Sequence, residues 1–338
     1  MRSALFAALA LTAGALAPGT VAAQSQNCKL ARIDEWKVVP NLPTPVIEGR
    51  INGRRIGVLI DTGMSIREGA LLERALARQL GVPLIEDPRR RLAGIGGETR
   101  AQIGVVNEFR IGEATRRDWW VLVGGEEHGQ QGRFIIGNSF FRDLDLELDL
   151  PRDRVRLFKS QDCRGVSLAY WTKSPSVAPI WVDGWTTVKV LVNGKEVVAM
   201  LDSGASSTLM DTSVLPRIGG EAQLRTAPPG RCVRGFGKQA VPSQIGQFDT
   251  FVIGDELIRN PKIYFADLRK DLPRTSFFFF EVQRYDMPEM ILGTDFLRAH
   301  RVLIARQQGL LFFTYEGGTV FPLVPAPPCS EQAVEPKQ

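Results

Sequence analysis

Alternating apolar and polar positions run through most of this chain, broken by short continuous apolar stretches. Residues 46–60 read as two strands joined at Asn52-Gly53, a dipeptide that favours a two-residue hairpin turn. The second arm ends in Val58-Leu59-Ile60 before Asp61, the pattern of a strand buried on both faces. Leu71, Leu72, Ala75, Leu76, Gln79 and Leu80 recur at helical spacing, and Gly81 and Pro83 stop the run, which predicts a helix. Strands are expected around 103–106 and 119–123, and at Phe134-Ile135-Ile136-Gly137. Further strands are expected over 144–149, 154–158, 301–304 and 310–313.

The pattern occurs twice. Val58-Leu59-Ile60-Asp61-Thr62-Gly63 is matched by Met200-Leu201-Asp202-Ser203-Gly204 at an offset of 141. Asn52-Gly53 is matched by Asn193-Gly194, and Gly94-Ile95-Gly96 by Gly235-Phe236-Gly237, at the same offset. Ile135-Ile136-Gly137 returns as Ile291-Leu292-Gly293 at an offset of 156, so the second copy carries 15 more residues before that point. Arg269 to Pro288 is the natural place for them, and it contains Phe277-Phe278-Phe279-Phe280, read as a buried strand or part of a binding surface. A glycine-rich tip is an ordinary turn when it occurs once. Two tips in register, the first running through Gly97, predict a pair of mobile flaps.

The chain has 338 residues, 44% hydrophobic and 23% charged, enough for two domains. Arg2, an alanine- and leucine-rich core and Val21-Ala22-Ala23 read as a secretory signal peptide over 1–23. A membrane anchor is the other reading, but Pro18 and Gly19 interrupt an apolar core already short of a span. The mature chain is therefore expected to lack a membrane span and to be periplasmic or secreted. Removing Arg2 from 42 basic residues leaves 41 against 37 acidic ones. Arg89-Arg90-Arg91 and Arg116-Arg117 read as solvated charge, and no aromatic-interleaved basic stripe points to nucleic acid.

Cys28, Cys163, Cys232 and Cys329 are even in number, which in an exported chain favours disulfides. With no C-x-x-C and only His128 and His300, no metal or cofactor is expected. Of the three possible pairings, Cys28–Cys163 and Cys232–Cys329 keep each bond within one repeat and are favoured.

An apolar strand entering Asp-Thr/Ser-Gly, a glycine loop downstream and a later apolar-Gly motif followed by Phe together resemble the retropepsin-like aspartic proteases. The resemblance covers nearly all of 40–320 in two copies. It implies a mostly β fold of two acid-protease β-barrel lobes, 24–165 and 166–330, related by a pseudo-twofold with a cleft between them. Residues 331–338 read as a disordered tail. It implies that Asp61 and Asp202 share a proton and activate a water to hydrolyse a peptide or protein substrate. It implies that Thr62 and Ser203 tie the two turns together beside Gly63 and Gly204. The loops at Gly94-Ile95-Gly96-Gly97 and Gly235-Phe236-Gly237 would close over the substrate, and Ile136-Gly137 and Leu292-Gly293 would pack beneath the turns. The apolar tips Ile95 and Phe236 suggest apolar side chains around the cut bond.

Met64 and Arg67 depart from the family pattern, while Ala205 and Thr208 conform. Met64 would line a specificity pocket or obstruct the cleft. Neither Met64 nor Ala205 offers a hydroxyl to the carboxylates, which predicts activity at mildly acidic to neutral pH. Two alternatives to a monomeric endopeptidase remain: a catalytically silent peptide-binding module, and a homodimer in which repeats pair between chains. Cysteine and serine nucleophiles lack a suitable His partner, and no glycine loop opens a helix to cradle phosphate.

Overall fold

The computed structural model describes residues 27–87, 90–124, 133–270, 272, 288–324 and 329. The leader over 1–23, His128, Phe277 to Phe280 and the tail 331–338 lie outside the described residues.

The first repeat supplies β1 (Lys29–Lys37), β2 (Val46–Ile51), β3 (Arg54–Asp61), β4 (Ala70–Leu72), α1 (Arg74–Gln79), β5 (Leu84–Ile85), β6 (Arg91–Gly94), β7 (Gly97–Ile111), β8 (Ala114–Gly124), β9 (Phe134–Gly137), β10 (Asp145–Asp149) and β11 (Arg154–Gln161). The second supplies β12 (Ser176–Asp183), β13 (Trp185–Val192), β14 (Lys195–Leu201), β15 (Leu209–Asp211), α2 (Gln223–Thr226), β16 (Pro229–Val233), β17 (Val241–Gln247), β18 (Thr250–Ile253), β19 (Glu256–Arg259), β20 (Lys262–Ala266), β21 (Met290–Leu292), α3 (Thr294–Leu297), β22 (His300–Ala305) and β23 (Leu310–Tyr315). The fold is mostly β.

Both hairpins expected at Asn-Gly form. Asn52 and Gly53 have φ of 49° and 79°, and Asn193 and Gly194 have 50° and 73°. Positive φ at both central residues matches the right-handed twist of the flanking strands, which is why this dipeptide is chosen. The helix expected from Leu71 is shorter than its periodicity suggests. Leu71 and Leu72 belong to β4, which is clamped between β9 and β8, and the helix is only α1. A three-residue strand followed by a short helix mimics one helical stripe, because both present leucines to the same core.

In the first lobe, β2, β3, β9, β4, β8 and β7 pair in that order, and β7 returns to β2 through Arg50–Arg110 and Ile51–Phe109, closing a six-stranded barrel. The second lobe follows the same path through β13, β14, β21, β15, β20 and β17, with β18 pairing back to β13. Two long strands of the first lobe are each split in the second. The counterpart of β8 breaks between β19 and β20 at Asn260-Pro261, where proline lacks a ladder donor and Asn260 has φ 50°.

A run of six antiparallel strands, β1-β11-β10-β22-β23-β12, continuous through β12–β13 with the sheet of the second lobe, takes three strands from each repeat. At its centre Leu146 pairs with Ile304, Glu147 with Leu303 and Leu148 with Val302. Shifting the first pair by the repeat offset of 156 turns it into the third, so a pseudo-twofold axis passes through Glu147–Leu303. Leu146 and Leu148 enter the main core, while Asp145, Glu147 and Asp149 on the opposite face are also fully buried. Arg156 and Arg301 bond Glu147, Arg156 also bonds Asp149, and Arg301 stacks on Trp171 with its guanidinium 4.4 Å from the ring centroid. The inter-repeat linker at Leu168-Ala169 thus roofs a charged face that paired arginines make tolerable. Disulfides join Cys28 to Cys163 and Cys232 to Cys329, each within its repeat.

Candidate active site

Each Asp turn begins where a buried strand stops. Ile60 and Leu201 are fully buried, and the chain then breaks into Asp61-Thr62-Gly63 and Asp202-Ser203-Gly204. Asp61 Oδ1 accepts from the amides of Gly63 and Met64, both at 2.9 Å. Asp202 Oδ1 accepts from the amides of Gly204 at 2.8 Å and Ala205 at 3.0 Å. The two turns are thus built alike, and in each only Oδ1 is committed to its own turn.

The turns are tied to each other reciprocally. The Thr62 hydroxyl donates to Leu201 O at 2.8 Å and accepts from the Ser203 amide at 3.0 Å. The Ser203 hydroxyl donates to Ile60 O at 2.7 Å and accepts from the Thr62 amide at 3.1 Å. Both side chains are fully buried, so these four bonds replace water that cannot reach the junction. They draw the turns so close that the glycines become obligatory. A Cβ on Gly63 would lie 2.3 Å from Asp202 Cγ, and one on Gly204 would lie 2.4 Å from Asp61 Cγ.

The two carboxyls hydrogen-bond to each other. Asp61 is buried and Asp202 partly so. Burial raises both above the ordinary aspartate range, and for Asp61 the neighbouring Asp202 charge adds to the rise. The backbone amides on each Oδ1 oppose that rise without cancelling it. The two groups therefore titrate as a pair.

Beside these turns, β9 runs parallel to β3 with Gly137 level with Asp61, and β21 runs parallel to β14 with Leu292 level with Leu201. Gly137 and Gly293 lie against the loops after the Asp turns. Added Cβ atoms there would stand 2.4 Å from Met64 O and 2.7 Å from the Ser207 carbonyl carbon. The two glycine loops meet tip to tip. The Gly237 amide donates to Ile95 O and the Gln239 amide to Gly96 O, both at 3.0 Å.

The Met64 side chain is 1% exposed and packs with Leu71, Leu92, Ala101, Ile103, Leu122 and Ile135 in a cluster that the second flap's Phe236 covers. Two further contacts were not anticipated. Asn138, next after Gly137, donates to Gly184 O at 2.7 Å and accepts from Thr186, so it bridges the lobes. Asp295, three residues after Leu292, accepts from the Thr208 amide at 2.7 Å and hydroxyl at 2.6 Å, and from the Phe296 amide at 2.9 Å. Burial pushes the Asp295 carboxyl up to about 6. The Thr208 hydroxyl also accepts from the Gly293 amide, so this acid braces the loop that follows Asp202.

A cavity of about 1400 Å³ in the second lobe contains no residue of either Asp turn. Within its charged lining, Arg217 pairs with Glu289 and Arg269 with Asp211. Among the described residues no cluster of His, Cys, Asp and Glu could hold a metal ion.

The profile of the family described as Aspartyl protease matches residues 47–140 and 188–296, about 60% of the chain, once on each repeat. The chain belongs to the aspartyl protease family. Each matched region carries one Asp turn and one glycine loop of the doubled pattern. A solved structure of a retropepsin-like aspartic protease from Rickettsia conorii is similar at 19% identity and a TM-score of 0.28, over 39% of this chain and 94% of that one. No curated protein matches the chain.

Proposed function

We propose that this chain is an exported aspartic endopeptidase in which Asp61 and Asp202, one from each repeat, form a single catalytic dyad. The observation that carries the reading is the pair of mutually hydrogen-bonded carboxyls with raised pKa values, held by reciprocal Thr62–Ser203 bonds. An amide carbonyl needs an activated water and a proton for the leaving nitrogen. Of two adjacent carboxyls only one ionises readily, so base and acid coexist at one pH.

In the reaction a water lies between the dyad and the peptide carbonyl. The ionised carboxylate takes a water proton as the oxygen attacks the carbonyl carbon, and the protonated carboxyl gives its proton to the carbonyl oxygen. The tetrahedral diol then collapses: one hydroxyl proton returns to the dyad, a dyad proton passes to nitrogen, and the C–N bond breaks. One proton remains on the pair, as at the start.

The loops around Ile95 and Phe236 serve as flaps. Two backbone hydrogen bonds, each worth about 1 kcal/mol net, and the apolar contacts of Ile95 and Phe236 with the opposite lobe hold them closed, and these must open to admit an extended peptide. Gly137 and Gly293 let strand and loop pack beneath the dyad without a side chain between them. The chain supplies both halves of the site, which supports a monomer of two lobes, 24–165 and 166–330. Two disulfides suit an oxidising compartment, and no helix among the described residues is long and apolar enough to cross a membrane.

The test is hydrolysis of a mixed peptide library by the mature, oxidised protein across pH 3 to 8. Asp61→Asn and Asp202→Asn are each expected to lose about 10³-fold or more in kcat, since each removes one half of the acid–base pair. The optimum is expected at mildly acidic to neutral pH, because burial raises both carboxyls and no hydroxyl from position 64 or 205 opposes it. Loss in the Asp202 variant alone would transfer the site to a pairing between chains. Absence of cleavage by folded wild type would leave a peptide-binding module.

A further inference from the structure

Arg90 and Arg231 occupy equivalent positions, 141 residues apart, on the strands that lead into the two glycine loops. Their surroundings differ. Arg90 pairs with Glu68 at 3.1 Å and with Asp87 at 3.5 Å, so its charge is spent inside the first lobe. The residues equivalent to Glu68 and Asp87 are Leu209 and Pro228, neither of them an acid. Among the described residues, the Arg231 guanidinium meets two serine hydroxyls, Ser206 at 3.2 Å and Ser207 at 3.1 Å, and no carboxylate within 4 Å. A half-buried guanidinium held by neutral hydroxyls is under-neutralised, and the guanidinium fork suits a carboxylate.

Its position is beside the proposed dyad. Ser206 and Ser207 directly follow the Asp202–Ala205 turn. β16 carries a bulge between Pro229 and Cys232, so the place of Arg231 is set by its bonds to Ser206 and Ser207, while Cys232 is tied to Cys329. Val233 packs in the cluster that includes Ala205 and the opposite flap's Ile95. Arg231 is therefore on the second flap, five residues before Phe236 at the tip and against the loop that follows the Asp202 turn.

The flap as a whole repeats the theme. Residues 229–247 contain Arg231, Arg234 and Lys238 and no Asp or Glu. None of these three has an ion-pair partner among the described residues. The equivalent stretch of the first flap, 88–106, is also basic, with Arg89, Arg90, Arg91 and Arg100 against Glu98, but there Arg90 pairs with Glu68 and Asp87, and Arg91 with Glu98.

We infer that Arg231 is a specificity residue that recognises a carboxylate on the peptide, at a subsite on the second-lobe side of the cut bond. This rests on the protease reading and names the substrate class: acidic peptides. The carboxylate is that of an Asp or Glu side chain or of the peptide's C-terminus, and Arg90, already paired with acids, makes no such demand.

The experiment takes one peptide that wild type cleaves and places Glu, Gln or Lys at each position on both sides of the cut, with free and amidated C-termini. Cleavage and the binding of labelled peptides are measured in parallel for wild type, Arg231→Met, Arg231→Lys and Arg90→Met. At one position the Glu peptide is expected to exceed its Gln analogue by about tenfold in kcat/KM, mostly through KM. Arg231→Met should abolish that ratio, Arg231→Lys should keep part of it, and Arg90→Met should leave it unchanged. A free-acid over amide preference of the same size, lost in Arg231→Met, would place the carboxylate at the C-terminus. Equal use of Glu and Gln with no C-terminal preference, or a preference surviving in Arg231→Met, would overturn the inference and leave the protease intact. Arg231-dependent binding of the acidic peptide without any cleavage would uphold the inference and overturn the proteolytic reading. Absence of both would overturn both.

Discussion

The two repeats keep the same turn and differ in what packs around it. Around Asp61 and around Asp202 the amides, hydroxyls and glycines correspond partner for partner. One shell further out they diverge. The first turn rests on a buried Met64, whereas the second has Ala205 at that position and is braced by Asp295 through Thr208. The counterparts of Asp295 and Thr208 in the first repeat are Ser139 and Arg67, so that brace is missing there. The proposed dyad is constrained from both sides at once. Each supporting shell answers only to its own lobe, so equivalent ends are reached by apolar packing in one and by a buried acid in the other.

Substitutions can break this comparison at several depths. The largest effect is expected at the dyad, where both Asp→Asn variants should fail to a similar degree despite their different supports. Unequal residual rates would show that the support reaches the chemistry.

Next comes Asp295. Its folded carboxyl titrates near 6 against an ordinary value of 3.8, so the native state keeps a proton that the unfolded chain has already lost. Stability from this group is full below about pH 4 and falls as pH rises through about 6, by up to about 3 kcal/mol. Asp295→Asn should flatten that part of the profile in urea midpoints measured from pH 4 to 8. An unchanged slope would remove the acid brace as a feature of the second lobe.

Met64→Ala should cost about 2 to 3 kcal/mol by leaving a cavity in the first lobe, with kcat little changed, because the side chain faces the core. A large fall in kcat with stability intact would return Met64 to the cleft. The smallest effect is expected for the exchange Thr62→Ser with Ser203→Thr. Each hydroxyl makes the same pair of bonds, so the double variant should stay within about 0.5 kcal/mol of wild type in thermal unfolding. By contrast, Thr62→Val leaves buried partners unsatisfied and should cost about 1 to 3 kcal/mol.

Much of this was legible in the chain because the doubled pattern carries its own register. Asp61 and Asp202, the two glycine loops and the two apolar-Gly strands stand at offsets of 141 and 156, and covalent order preserves such offsets whatever the fold does between them. The Asn-Gly hairpins were legible for a local reason, since two residues determine the sign of φ. The same register also contained the contrast between Arg90 and Arg231, but only the neighbours reveal that one is paired with acids and the other is not.

Elsewhere the local signal pointed the wrong way. Leu71 and Leu72 continue a helical stripe yet form a strand, because β8 and β9 offer a gap in the sheet that outweighs helical periodicity. Asp145-Leu146-Glu147-Leu148-Asp149 has the alternation of a strand with one wet face, but both faces are buried.

By itself the sequence determined the repeat, the two Asp turns, the loops that can reach them and the cysteines available for each lobe. These follow from short-range backbone preference and from spacing along the chain. Tertiary structure alone decided that β10 meets β22 across the pseudo-twofold axis, that a row of acids lies beneath the linker among paired arginines, and that Asp295 braces one turn while Met64 packs beneath the other. Those outcomes depend on which surfaces exclude water together. That is settled between residues distant in the chain, where no local pattern records the partner.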